Sequence, residues 1–399
     1  MKKIYLSAPG LICCAGQNKE ELYDSCLRGD RSGMVIRELQ GSHGSDYTDG
    51  GKFPTGQIPW SLPTDLPDYI ENNRVIHIID AALEQIRPII DSAISAYSPE
   101  EIGVCLGSCY KGYEGSVLAH KEFLSSGSFP EDYRLRFQSA SFPAEFAADK
   151  FGLKGPVLTF ANACASGASA IIKGAELIRA GLCKAVIAGG ADNISNTALM
   201  GFHALKALSE CLSNPFSINR KGINLGEGAA FFLLDSVDRD NYGIELLGAG
   251  ENADAYHMTA PGPDGEGPVH AMKAALLDAG LESSQIAYVN LHGTGTELND
   301  IAEALAMKAV FGDKPPAASS TKPITGHTLG AAGALEAAIC WMVLTAKKGF
   351  PLHCWDGERD PELVFIPEIY DSIGTAKYCM SNSFAFGGCN ASLILGRRS

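Results

Sequence analysis

The chain has 399 residues, of which 46% are hydrophobic and 20% charged, and its formal net charge is −14. The length calls for about two domains, and the composition lies too near the globular average for long disordered tracts. So acidic a chain lacks the clustered positive charge of a nucleic-acid or anionic-membrane surface, and neither nucleic acid nor membrane insertion is expected.

The opening MKKIYLSAPGLICCAG has no apolar run of signal length, which predicts a cytoplasmic protein. Its twelve cysteines are then expected to be reduced and mostly small core residues. Cys13, Cys14, Cys105 and Cys109 lack the paired spacing of a tetrahedral zinc site. Residues 30–68 are rich in Gly, Ser, Pro and Asp and read as a long surface excursion. From 74 to 96, Val75, Ile78, Ile79, Ala82, Leu83 and Ile86 recur at helical spacing and predict one amphipathic helix.

Residues 102–106, 157–160, 184–188 and 229–234 are short continuous apolar runs, as in strands of a sheet covered on both faces. The second leads through Asn162, Ala163 and Cys164 into an Ala/Ile-rich helix reaching about Ala180. A polar, turn-rich stretch at 236–243 marks the seam, giving halves 1–240 and 241–399. The apolar stretch 331–346 is interrupted by Glu336 and is short for a membrane span. TFANACASGASA in the first half and SNSFAFGGCNASL in the second have similar patterns. A duplicated α/β unit explains the likeness, and so does chance between short, biased stretches.

Cys164 lies where a strand turns sharply through small residues into a helix. A helix N-terminus favours a thiolate there and offers free N–H groups to an oxyanion, which suits acyl transfer; a buried packing thiol is the alternative. His292, in VNLHGTGT, and His327, in KPITGHTLGAAG, sit at comparable turns and read as either capping or catalytic residues. One Cys with distant histidines is a candidate nucleophile arrangement. No P-loop, dinucleotide fingerprint or H-x-x-x-H pair occurs, so no nucleotide or metal cofactor is expected.

These residues resemble the β-ketoacyl-[acyl carrier protein] synthases, condensing enzymes of the thiolase superfamily. The motifs that carry the resemblance are NACASGA, RKGINLGEGAA, DAYHMTAPGPDGEG, NLHGTGTELND, STKPITGHTLGAAGALEA and SNSFAFGGCNASL, in family order across nearly the whole chain. The resemblance implies an α/β thiolase-like five-layered αβαβα fold of two duplicated halves, in a homodimer or a heterodimer with a paralogue. It implies Cys164 as acyl-accepting nucleophile, an oxyanion hole from the N–H groups of Cys164 and Phe386, and His292 and His327 facing a malonyl thioester. Lys322 and Glu303 match positions supporting the histidines, expected as an ion pair. Thr294, Thr296, Phe384 and Tyr110 match the substrate pocket, and Asn290, Glu336, Ser381 and Asn382 a structural monovalent cation site in some relatives.

The implied partner is acyl carrier protein bearing acyl and malonyl groups, with Arg134, Arg136, Lys206 and Arg220 as docking candidates. The implied reaction is decarboxylative condensation to a 3-oxoacyl product in fatty acid biosynthesis. A specialised polyene or polyketide ketosynthase and a non-catalytic chain-length-factor-type partner are the alternatives. A thiolase is disfavoured because Cys389 sits in the condensing-enzyme pattern NSFAFGGCN. Two departures stand out. The gating loop reads Phe384-Ala385-Phe386-Gly387-Gly388, where Ala lacks glycine's freedom at φ > 0. Tyr110 in GSCYKG would shorten the pocket and favour short, unsaturated or aromatic primers.

Overall fold

Apolar runs flanked by small-residue turns become the strands of one large mixed sheet with helices on its faces. The computed structural model describes residues 2–39, 51–63, 73–109, 112–131, 133–369 and 376–397. Its strands are β1 (Tyr5–Leu6), β2 (Gly10–Cys13), β3 (Met34–Glu38), β4 (Lys52–Gly56), β5 (Ile102–Gly107), β6 (Val157–Phe160) and β7 (Ala185–Asp192). They continue with β8 (Gly228–Asp235), β9 (Glu245–Ala253), β10 (Tyr288–Asn290), β11 (Ala317–Ser319), β12 (Tyr378–Phe384) and β13 (Cys389–Gly396).

The sheet order is β11-β10-β12-β13-β9-β1-β8-β7-β5-β6, with β2 also on β8. With β1 and β2, which both pair with β8, counted as one strand and the separate β3–β4 pair left out, both sides of the β1–β9 junction read third, second, fourth, fifth, first. In both, the first three of these are parallel and the last two antiparallel. The same topology occurs twice, so the unit is duplicated, but the two similar segments are not its equivalents. TFANACASGASA leads from the third strand of its half into a helix, and SNSFAFGGCNASL spans the fourth and fifth strands of the other, so their likeness is chance.

The layering follows from where apolar surface is left over. Helices Arg74–Gln85 and Phe142–Phe151 cover the outer face of the first half, and Glu266–Ala279 with Glu297–Phe311 that of the second. Ser166–Arg179 and Ala332–Ala346 lie between the half-sheets and against each other. This is the αβαβα, thiolase-like arrangement. The helix Ala332–Ala346 is apolar on every side because it is surrounded on every side. The segment Leu329–Ala346 is long and apolar enough to cross a membrane, yet 89% of it is buried in this central layer.

Three local expectations need correction. The helix expected over 74–96 breaks at Ile86 into Arg74–Gln85 and Arg87–Ala96. Pro88 stands in the first turn of the second piece, where its missing N–H costs least. The excursion at 30–68 contains the β3–β4 hairpin, which buries Leu39 and Phe53 in a small core with Ile194, Leu199 and Leu329. Finally β6 is an edge strand only half covered, with Leu158 39% exposed, whereas β5, β7 and β8 are buried throughout.

The seam at 236–243 lies between β8 and β9 and is packed down. Arg239 bonds Asp235 at 2.6 Å, and Asp240 accepts the N–H of Ala8 at 2.6 Å. None of the twelve cysteines is in a disulfide, and eight are buried.

Candidate active site

Cys164 and His327 occupy equivalent places in the two halves, each after the third strand and before the central helix. Cys164 lies in the 3-10 turn Ala163–Ala165 that opens Ser166–Arg179, and the turn forces Ala163 to φ +54°. An alanine in the left-handed region is strained, which is common where a chain must aim a side chain sharply. His327 follows Lys322–Thr325 and is pinned through its backbone, its N–H donating to Asn224 O and its carbonyl accepting from Gly226 N. His292 follows β10 directly.

The three side chains meet. Sγ of Cys164 is 2.9 Å from Nε2 of His327, and the ligating atoms of Cys164, His292 and His327 all lie within 4.8 Å of one another. The imidazole rings stand edge to face, 5.5 Å between centroids. Burial pushes the Cys164 thiol up to about 12; the charge of Lys322 and the backbone N–H of Phe386 act the other way. Burial, then the Lys322 charge, holds both histidines well below their ordinary value. The resting pair is therefore a neutral thiol beside a neutral imidazole, rather than the thiolate that the helix terminus alone suggests.

Lys322 sets the state of His292. Its Nζ lies 3.4 Å from Nδ1 and 2.5 Å from the His292 carbonyl oxygen. A protonated amine can only donate, so Nδ1 accepts and Nε2 carries the proton into the site. The same cation opposes a second positive ion among these side chains.

The expected Lys322–Glu303 ion pair is not what forms. Lys322 pairs with Glu336, on the central helix Ala332–Ala346. Glu303 turns its carboxylate to the backbone, accepting from His292 N at 2.8 Å and Gly293 N at 2.6 Å, and burial raises it to about 8. It anchors the chain that carries His292, which requires two convergent acceptors rather than a counter-ion.

Above the three side chains opens a cavity of about 310 Å³ lined by Cys164, His292, His327, Thr294, Thr296, Phe384 and Phe386 among others. Lys206, Arg220 and Lys221 stand on its wall. Arg134 and Arg136 do not line it, and Arg136 is paired with Glu145 and Asp149. Tyr110 lies outside the described residues.

The comparisons with known proteins agree with this geometry. The Beta-ketoacyl synthase, N-terminal domain matches residues 80–239 and the Beta-ketoacyl synthase, C-terminal domain residues 244–353. The chain belongs to the β-ketoacyl synthase family. It is 34% identical to 3-oxoacyl-[acyl-carrier-protein] synthase 2 of Staphylococcus aureus (strain COL) over 98% of each chain. To the synthase 2 of Vibrio cholerae the identity is 36%, over 99% of each. Among solved structures, ketosynthase ApeO in complex with its chain length factor ApeC from Xenorhabdus doucetiae is similar, at 37% identity and TM-score 0.89. That match covers 100% of this chain and 98% of the other.

The loop 384–388, expected to gate the site, is relaxed at its one unusual position. Ala385 is extended, with φ −99° and ψ 159°, and its N–H donates to Cys389 O. The positive φ falls on Gly387 and Gly388, at +83° and +71°. Gly387 N donates to Met258 O and Asp254 N to Gly388 O, which ties the loop to 254–258. The Phe386 ring lies against Phe202, centroids 5.9 Å apart.

Beside Lys322 is a set of buried oxygens with no hydrogen-bond partner: Oδ1 of Asn290, Oε2 of Glu336 and Oγ of Ser381. Asn290 and Ser381 are register neighbours on β10 and β12. Three hard oxygens suit an alkali cation. The Asn382 side chain does not, because its oxygen accepts from Ser392 and its amide nitrogen is a donor.

Two acids went unnoticed in the sequence. Asp300 accepts from Phe216 N at 2.8 Å and Gly295 N at 3.2 Å, and burial raises it to about 6. Its spacing from Glu303, three residues along the helix and so on the same face, was the available signal. Asp192 closes β7 and carried no local signal.

Proposed function

We propose that the chain performs the decarboxylative Claisen condensation of an enzyme-bound acyl group with malonyl-[acyl carrier protein], releasing a 3-oxoacyl-[acyl carrier protein]. The observation that carries this reading is the Cys164–His327 contact with His292 alongside, under a cavity that admits a thioester arm. Cys164 Sγ attacks the acyl thioester carbonyl, and its proton leaves through His327 to the departing carrier thiol. Because burial disfavours both the free thiolate and the imidazolium, proton transfer accompanies C–S bond formation. The oxyanion is held by the N–H groups of Cys164 and Phe386.

Malonyl carrier protein then places its thioester oxygen before the two imidazoles. The C–COO⁻ bond breaks, carbon dioxide leaves, and its electron pair forms an enolate that receives hydrogen bonds from neutral donors. Neutral imidazoles hold that charge without quenching the carbanion by proton transfer. The enolate carbon attacks the acyl-Cys164 carbonyl, the C–S bond breaks as the tetrahedral intermediate collapses to the 3-oxoacyl thioester, and the departing sulfur takes up a proton from solvent through His327. Lys322 keeps His292 the right tautomer, Glu303 fixes its backbone, and Thr294 and Thr296 line the arm's path. A monovalent cation bound by Asn290, Glu336 and Ser381 would supply structural charge balance beside Lys322.

We take the halves as 1–240 and 241–399, the protein as cytoplasmic on its twelve unpaired thiols, and the assembly as a homodimer joined at the β6 edge. Lys206 and Lys221 are the surface offered to an acidic carrier protein; Arg220, a candidate from the sequence, is buried against Asp360 and is not part of it. The preference for short, unsaturated or aromatic primers rests on Tyr110 in sequence alone. A second reading, a specialised polyene or polyketide ketosynthase working with a paralogous partner, is favoured by the 37% identity to the ApeO–ApeC structure.

The test is intact-protein mass spectrometry after incubation with carrier proteins bearing different acyl groups, alongside Cys164→Ala. An acyl adduct lost in the variant supports the reading, and the best-loaded group chooses between pathways. No adduct from any primer removes the catalytic assignment for the isolated chain.

A further inference from the structure

Four stretches of backbone converge beside Cys164 with no room for side chains between them. Gly107 ends β5, Gly190 lies in β7, Gly167 is in the first turn of the nucleophile's helix, and Gly330 precedes the central helix Ala332–Ala346. A Cβ on Gly167 would stand 2.9 Å from Gly330 O and from Ala334 N, and one on Gly190 2.6 Å from Gly330 O. One on Gly330 would stand 2.6 Å from Asp192 Oδ2 and 2.8 Å from Cys109 N.

Into this glycine knot the chain inserts a single acidic side chain. Asp192 is 3% exposed, and no Lys, Arg or His among the described residues lies within ion-pair distance of it. Its carboxylate accepts from Ser108 Oγ at 3.0 Å, from Cys109 N at 2.9 Å, and from Gly330 N at 2.6 Å. The first two belong to the turn after β5, in the first half. The third belongs to the turn carrying His327, in the second. An uncompensated buried carboxylate is unfavourable for folding, so stability alone gives no reason for it.

We propose that Asp192 is a positioning residue that sets Cys164 against His327, by clamping the 107–109 turn of the first half to the Gly330 turn of the second. Gly330 is three residues beyond His327, and its carbonyl packs on Gly167, three residues beyond Cys164. A shift of the Gly330 turn therefore changes the Sγ–Nε2 separation from both sides. All of the carboxylate's partners in the two turns are donors. An Asn in its place keeps one acceptor oxygen and brings an NH₂ against an N–H whichever way the amide faces. Displacement on the scale of 1 Å is enough to cost about a hundredfold in rate.

This rests on the condensing-enzyme reading, and the experiment separates the two. Asp192→Asn is measured for thermal unfolding, for kcat and KM with carrier-bound substrates, and for the rate at which iodoacetamide alkylates Cys164. The expected result is a cooperatively unfolding protein with KM within about threefold of wild type, kcat down about a hundredfold, and Cys164 alkylation changed at least tenfold. Gly330→Ala, which drives a methyl at Oδ2, is expected to match it, and the double variant to lose no more than either single one. An Asp192→Asn protein whose kcat stays within threefold, whose loss lies in KM alone, or which does not fold overturns the assignment; so do losses that multiply in the double variant. Alkylation needs no carrier substrate. A wild type that condenses nothing would thus refute the condensing reading while leaving the alignment of Cys164 open to measurement.

Discussion

Replacing Lys322 by methionine keeps most of the side chain's volume and deletes the charge 3.4 Å from His292 Nδ1. Two like charges at that separation repel by about 5 kcal/mol at an effective dielectric constant of about 20, more than a thousandfold in the protonation equilibrium. Burial is the larger reason that His292 stays neutral, and Lys322 is the second. Lys322→Met removes the repulsion and the donor that fixes the tautomer. The imidazolium becomes accessible as pH falls, and Nε2 no longer reliably carries the proton. Decarboxylation of malonyl carrier protein, followed by carbon dioxide release, is expected to fall about a hundredfold near pH 7. The remaining activity should acquire an acid limb that the wild type lacks, because the depressed value keeps wild-type His292 neutral through that range. The single variant also leaves Glu336 buried without its partner, at about 3–5 kcal/mol of stability. Lys322→Met with Glu336→Gln should recover most of that stability and none of the rate. A single variant that decarboxylates within threefold of wild type, with an unchanged acid side, would refute the reasoning.

Three further outcomes follow from the same geometry. Ala385→Gly places glycine where the backbone is already extended, so it should lower stability by roughly 0.5–1 kcal/mol and leave kcat within threefold. A large rise in kcat would mean that the methyl restrains Phe386. Lys206→Glu with Lys221→Glu reverses two exposed charges on the cavity wall and should raise KM for carrier-bound substrates about tenfold, in a salt-dependent way. A soluble thioester analogue should be unaffected, and equal losses on both substrates would place these residues in the chemistry rather than in docking. Burial raises Asp300 to about 6, Asp192 to about 7 and Glu303 to about 8. Folded values above the unfolded ones mean that the folded chain holds protons the unfolded chain has released. Their contribution to stability is thus full below the ordinary carboxylate range and is lost as pH rises through 6 to 8. The two histidines, depressed, act oppositely and lose stability as pH falls through 6.5. Denaturant unfolding at about pH 6 and about pH 8.5 should show the alkaline decline, and Glu303→Gln should flatten it. An undiminished slope in that variant would remove Glu303 from the account.

Much of this protein is written locally. The runs 102–106 and 229–234 are apolar without alternation because both faces of those strands are covered, and the residues around 331–346 are apolar all round because that helix is enclosed. Strand-to-turn patterns ending in small residues marked Cys164, His292 and His327 as candidates, each with a packing or capping alternative that the local pattern left open. Burial is a property of one element at a time, so periodicity along the chain carries it. What only the tertiary structure decided is which charge meets which. Lys322 has Glu303 and Glu336 at similar sequence distance on two different helices, and nothing local distinguishes them. The central helix brings Glu336 to the amine, while the outer helix turns Glu303 to the backbone of His292 and Gly293. The role of Asp192 was hidden for the same reason: its partners lie at Ser108, Cys109 and Gly330, and they become neighbours only when the two halves close on one another.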